Sequence, residues 1–215
     1  FGSQANEKIR LGLIGCGNRG RWIAKLFQDH GGYVVAAVHD YFPDRAKTVG
    51  GQFGVPEERC YSGLLGYRRM LDNGGIDAVA IESPPYFHPA QAAAAVEAGM
   101  HVFLAKPVAV DVTGCQTIQS AGQKATEKKL VFLVDFQTRT NPLYQEAVRR
   151  VKEGDIGAIV SGEAVYYCGP TWVPPTDFDS KNPEDFLRAW GAFRVLSGST
   201  KIWNSTTRRN SSWFG

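Results

Sequence analysis

Apolar runs recur along the first two-thirds of the chain, separated by polar stretches punctuated with glycine and proline. "KIRLGLIG" reads as an apolar strand ending in glycine. It leads into "NRGRWIAKLFQDHGG", a predicted helix with Trp22, Ile23, Leu26 and Phe27 on one face and Gly31 as its stop. "YVVAAVHD" is a second buried strand. "PDRAKTVGGQFG" opens with Pro43 and Asp44 as a helix start does, and fades at its glycines. "LLGYRRMLDNGG" is a short amphipathic helix, and "IDAVAIES" a strand closed by Pro84 and Pro85. The alternation continues through "HPAQAAAAVEAG", a helix capped by Gly99, then "MHVFLA", "VTGCQTIQSAGQKATEKK" and "LVFLVDF". With "IDAVAIES" counted as the fourth strand, six strands alternate with helices. Near-continuous apolar strands imply burial on both faces, hence a parallel sheet between two helical layers. Right-handed crossovers make it a doubly wound α/β domain ending near Asp135.

The pattern then changes. "NPLYQEAVRRVKEG" predicts a helix with Asn141 as N-cap, Pro142 in its first turn and Gly154 as stop. Leu143, Ala147, Val148 and Val151 form its expected buried face. "AIVSGEAVYY" is strand-like, "GPTWVPPTDFDSKNPED" a Pro- and Asp-rich loop, and "PEDFLRAWGAFRVLSG" a short helix with aromatic anchors. The expected organisation is a nucleotide-type domain over residues 1–135 and the start of an α+β domain over 136–215. The tail 198–215 holds no acidic residue and no clean period.

Composition narrows the function classes. Across 215 residues, 24 basic and 21 acidic side chains leave a net charge of +3, too balanced to argue for nucleic acid or an acidic membrane surface as partner. No run approaches the roughly 18 apolar residues of a membrane span. Cys16, Cys60, Cys115 and Cys168 show no metal-ligand spacing and are expected as free thiols, with no metal site. No signal peptide is visible ahead of the first strand, so a cytoplasmic location is expected, with an exported form whose signal has been removed kept open.

The candidate chemistry sits at strand ends. "GLIGCGNRG" places Gly15, Gly17 and Gly20 in G-x-G-x-x-G spacing between a strand and a helix, the context this motif requires. Gly15 makes the tight turn, Gly17 admits a pyrophosphate, and Gly20 allows close helix–strand packing. The amides of Asn18 and Arg19 then face the phosphates from a helix N-terminus. The second strand ends in Asp40, which can take the hydroxyls of an adenine ribose. Its charge favours NAD, while Arg45 keeps NADP open. After the fourth strand, Ser83 and Pro84 are expected against the cofactor. His88, just before a helix beginning at Pro89, is read as shaping the cleft or as a plain helix contact. Lys106 ends the fifth strand on the same edge, fixed by Pro107 through a restricted or cis peptide. A partly desolvated lysine beside a positive nicotinamide has a lowered pKa, which suits acid–base work.

Together "GCGNRG", "VHD", "SPPYFH" and "AKP" resemble the Gfo/Idh/MocA family, named for glucose–fructose oxidoreductase, inositol dehydrogenase and MocA. So does the run "DFQTRTNPLYQEAVRRVKEGDIGAIVSGEAVYY", over roughly residues 8 to 197. The resemblance implies an N-terminal Rossmann domain and a second domain with an open, mostly antiparallel sheet. It implies NAD(P)-dependent oxidation or reduction of a sugar, polyol or related hydroxyl compound, and homo-oligomers formed through that sheet. It assigns Lys106 to proton transfer at the substrate hydroxyl and Arg139 to cofactor or substrate contact. Two departures stand out. Ala105 replaces the glutamate of the family's Glu-Lys-Pro, and none of the four histidines (His30, His39, His88, His101) lies in the second half, where a further acid–base group is expected. A shortened second domain is therefore expected, through an early stop, a shifted frame near Ser197 or a sequence cut from a longer one, with weaker assembly. Three alternatives accompany the oxidoreductase reading: a catalytically incompetent NAD-binding protein, a glycosidase using NAD transiently, and a similar domain binding another nucleotide.

Overall fold

A computed structural model describes residues 8–163, 165, 179 and 181–198. Six strands form one parallel sheet: β1 (Ile9–Ile14), β2 (Tyr33–Asp40), β3 (Cys60–Ser62), β4 (Ala78–Ile81), β5 (His101–Ala105) and β6 (Phe132–Asp135). The order β3-β2-β1-β4-β5-β6 places the topological switch between β1 and β4, where open α/β sheets bind ligands. The third strand, unassigned in the sequence reading, is the three-residue edge strand Cys60–Ser62. It is too short to carry a periodic signal.

Helices α1 (Asn18–Asp29), α2 (Pro43–Phe53), α3 (Gly66–Asp72), α4 (His88–Glu97) and α5 (Val112–Glu127) connect the strands. Alternation along the strands divides the core. Leu11, Leu13, Val35, Val38 and Ala80 pack on the face that carries α1 and α2. Val79, Ile81, Val102 and Leu104 pack with residues of α3, α4 and α5 on the other. Asp111 caps α5, its Oδ1 accepting the Gly114 N–H at 2.6 Å.

Several expectations are corrected. The buried stripe of α1 is Gly20, Ile23 and Ala24, with Phe27 partly buried, while Trp22 and Leu26 are 49% and 48% exposed. The steps 20, 23, 24 and 27 trace one face, and Trp22 and Leu26 fall to its side. Helix α2 runs through its glycines to a left-handed cap at Gly54. A Cβ on Gly50 would lie 2.3 Å from Cys60 Sγ, so this glycine serves packing against β3, not termination. Helix α4 begins at His88 itself.

Beyond β6 the described residues are helical or irregular. The turn Gln137–Thr140 precedes α6 (Pro142–Glu153), capped by Asn141 and closed by left-handed Gly154 as expected. Its expected buried face is exposed: Leu143 is 74% accessible, Ala147 and Val148 are exposed and Val151 only partly covered. Residues 158–163 and 165 form no strand, because no described segment offers them a hydrogen-bonding ladder. The rest of that strand, most of the Pro-rich loop and residues 199–215 lie outside the described residues. The single helix expected over "PEDFLRAWGAFRVLSG" is three pieces: α7 (Pro183–Arg188), a turn at Trp190–Ala192 and α8 (Arg194–Ser197). The backbone becomes extended at Phe193, whose ring packs 4.0 Å from that of Phe186.

Cys16, Cys60 and Cys115 are free thiols, and Cys168 lies outside the described residues. Among the described residues no cluster could hold a metal, and no helix is long and apolar enough to cross a membrane.

Candidate functional site

The turn between β1 and α1 shows why its residues are glycine. Gly15 has φ +100°, and a Cβ there would stand 2.6 Å from the backbone of Glu82 and Ser83. A Cβ on Gly20 would meet the Gly15 carbonyl oxygen at 1.8 Å. At Gly17 an added Cβ meets nothing within 4 Å. So Gly15 and Gly20 let turn, helix and β4 close on one another, and Gly17 leaves open space in front of the helix. Gly17 is the N-cap of α1 and no side chain caps the helix there, so its first amides, Asn18 and Arg19 among them, face that space.

Beside this turn lies an open crevice. It gathers Gly15, Gly17, Asp40, Ser83 and Pro84 from the ends of β1, β2 and β4, with Arg45 at its edge. Asp40 is buried at the end of β2. One carboxylate oxygen accepts the Cys16 N–H at 2.8 Å and the other the Phe42 N–H at 3.0 Å. The carboxylate is thereby locked in the crevice wall. Phe42 carries two guanidinium groups, Arg45 at 4.9 Å and Arg188 at 3.8 Å from its ring centre. Leu187 and Trp190, at the end of α7 and in the turn after it, also line the crevice. The sequence reading missed them. "DFLRAW" signals aromatic packing but not what it packs against.

His88 lies behind this wall, almost fully buried. Its Nδ1 is 2.8 Å from the Pro107 carbonyl oxygen and its Nε2 2.7 Å from that of Ser83. The ring thus ties the crevice wall to the turn after β5. Burial pushes the imidazole pKa down to about 4, while both carbonyls favour the charged ring. The ring is at once the first residue of α4 and a brace behind the crevice wall, so it fits both expected roles. His88→Asn is expected to cost about 2–3 kcal/mol at neutral pH, read by urea unfolding. An imidazole whose folded pKa is depressed contributes stability present above its unfolded value near 6.5 and lost as pH falls towards 4. The difference between wild type and variant therefore shrinks over that window.

Lys106 follows β5 directly, and its bond to Pro107 is cis. It is exposed, not partly desolvated as expected, because it stands one residue past the buried Ala105 in a turn at the sheet edge. Lys106 is not among the residues lining the crevice. Nor is Arg139, an exposed residue lying 5.2 Å from the ring centre of Phe136.

Arg19 does more than lend its amide. Its side chain pairs with Glu82 just past β4, Nε to Oε2 at 3.0 Å, and with Asp135 at the end of β6. Sequence reasoning missed this cluster, though strand parity carries its signal: Glu82 and Asp135 stand at the ends of the two apolar strands that flank β5, on the same face as Ala105.

Comparison with known proteins agrees with this geometry. Residues 9–136 match the family model GFO_IDH_MocA, described as an oxidoreductase family with an NAD-binding Rossmann fold. The chain is 29% identical over 178 residues to scyllo-inositol 2-dehydrogenase (NAD(+)) of Bacillus subtilis, covering 80% of this chain and 48% of that protein. It is 29% identical over 170 residues to an α-N-acetylgalactosaminidase of Shewanella oneidensis, covering 77% and 36%. Among solved structures, scyllo-inositol dehydrogenase from Lactobacillus casei with bound NAD(H) and scyllo-inositol superposes with a TM-score of 0.59 at 27% identity, covering 70% of this chain and 43% of that one. The chain thus spans less than half the length of each. The glycine turn, the strand order and the matched residues agree, and the chain belongs to the Gfo/Idh/MocA oxidoreductase family, with its NAD-binding Rossmann fold.

Proposed function

We propose that the chain binds a nicotinamide dinucleotide across the switch point and serves hydride transfer between it and a hydroxyl of a small carbohydrate-like molecule. The observation that carries this reading is the open space before Gly17, with the uncapped N-terminus of α1 on one side and the locked Asp40 carboxylate on the other. In this reading residues 1–135 are the dinucleotide domain. Residues 136–215 begin the domain for substrate and self-association. The turn Gly15–Gly20, with the amides of Asn18 and Arg19, holds the diphosphate. Asp40 holds the adenine ribose, and Ser83, Pro84 and His88 form and brace the wall. When bound, the nicotinamide ring accepts or supplies the hydride. Lys106 takes or returns the hydroxyl proton at its Nζ, and Arg139 contacts the substrate.

A second reading follows from the similarity to an α-N-acetylgalactosaminidase: a glycosidase that oxidises its substrate transiently and restores the cofactor within one turnover. A panel of polyols, inositols and N-acetylhexosaminides separates the two. Net NADH formation supports the dehydrogenase, and glycoside cleavage without it supports the glycosidase.

Titration of the protein into NADH and NADPH, followed by cofactor fluorescence, tests the shared core of both readings. NADH is expected to bind more tightly than NADPH, because Asp40 repels a 2′-phosphate. Absence of binding by either overturns the reading.

A further inference from the structure

Three charged side chains meet at one corner of the sheet. Alternation puts Glu82, Ala105 and Asp135 on the face that carries α1. Ile81 pairs with Leu104 and Ala105 with Asp135, so the three form one row across the C-terminal ends of β4, β5 and β6. Arg19 reaches over from α1 and pairs with a carboxylate at each end of the row. The middle position holds only a methyl group, at Ala105, which leaves room for the guanidinium.

Around Glu82 negative charge is in excess: among the described residues Arg19 is the cation acting on it, and Arg19 is shared with Asp135. Glu82 is also short of hydrogen bonds. The Glu82 side chain is 0% exposed, and the Arg19 Nε, 3.0 Å from its Oε2, is too poorly aligned to give either oxygen a hydrogen bond of good geometry, although its proximity still favours the charged carboxylate. A carboxylate enclosed in this way is costly to keep charged. Among the described residues Arg19 and Asp135 are the charged groups acting on it, and burial with the Asp135 charge pushes its pKa up to about 7. The cluster adjoins the diphosphate turn. Glu82 lines the crevice, and a Cβ on Gly20 would lie 3.4 Å from its Cβ.

We propose that Arg19, Glu82 and Asp135 form a proton-taking support for the dinucleotide, in which a Glu82 oxygen takes a proton from solvent as the diphosphate docks. The inference rests on the dinucleotide reading above. A docked diphosphate adds negative charge beside a cluster that already has an excess of it. Protonation of Glu82 leaves Arg19 and Asp135 as a balanced pair. Glu82 is a positioning residue here: it touches the turn, not the reacting atoms. Linkage sets the direction. A carboxyl group that holds its proton more tightly in the bound state makes affinity highest at low pH and weaker as pH rises through its free-state value.

NADH titrations by fluorescence from pH 6 to 9 test this. Wild-type affinity is expected to fall about tenfold between pH 6.5 and 8.5, while Glu82→Gln stays flat across the range. Asp135→Asn removes a charge that holds the Glu82 proton, so its decline is expected to begin at lower pH. Calorimetry of the wild type at pH 7.5, in two buffers of different ionisation enthalpy, reads proton uptake directly and needs no variant to fold. A pH-independent wild-type affinity, zero proton uptake, or an unchanged slope in Glu82→Gln overturns the inference while the dinucleotide reading stands. NADH binding at no pH overturns both.

Discussion

Gly20→Ala is expected to abolish dinucleotide binding and to cost the fold about 3 kcal/mol or more. The added methyl would stand 1.8 Å from the Gly15 carbonyl oxygen. That neighbour is backbone, in a residue already at φ +100° and pressed against β4, so it has nowhere to yield. Either α1 lifts off the sheet or the turn opens, and each displaces the amides that face the diphosphate. Gly17→Ala is the control, since its methyl would meet nothing within 4 Å. That variant is expected to unfold within about 1 kcal/mol of wild type, yet to bind NADH far more weakly, because the methyl occupies the approach of the diphosphate. Urea unfolding and NADH titration of the pair check both parts. Tight NADH binding by Gly20→Ala would show that the turn is not the cradle.

Lys106→Ala is expected to lower turnover of a responsive polyol or sugar by about 10²–10⁴, the usual worth of a positioned general acid or base. NADH affinity should stay within about threefold, since Lys106 stands outside the crevice that holds Asp40 and the glycine turn. Lys106→Arg keeps the charge but cannot release a proton at working pH, so it is expected to fall with the alanine variant. Steady-state rates beside binding constants measure this split. Wild-type turnover in Lys106→Ala would remove it from the chemistry.

Much of the first domain could be read from the chain because parallel strands buried on both faces leave uninterrupted apolar runs, and several of the helices between them end at a glycine, such as Gly31, Gly54 and Gly99. The edge strand Cys60–Ser62 escaped because three residues hold no period. Helix α6 was read correctly in extent and wrongly in burial. Its caps are local and visible, whereas a face is buried only if something covers it, and that is tertiary information. The glycine turn, Asp40 and Lys106 were visible because each ends a recognisable strand. The Arg19 cluster stayed hidden because its members lie 63 and 116 positions from Arg19 and only strand order brings them together. Ala105 looked like a missing carboxylate. In the fold, carboxylates stand on both sides of it.

The crevice is walled partly by Leu187 and Trp190, and the Tyr86 N–H donates to the Leu196 carbonyl oxygen at 3.1 Å. A fragment that stops after β6 would therefore keep every glycine of the β1–α1 turn and still lose one side of the crevice beside it. The border drawn by chain pattern and the border of the crevice wall do not coincide. A stand-alone fragment that keeps the whole crevice should run through α8, to residue 198.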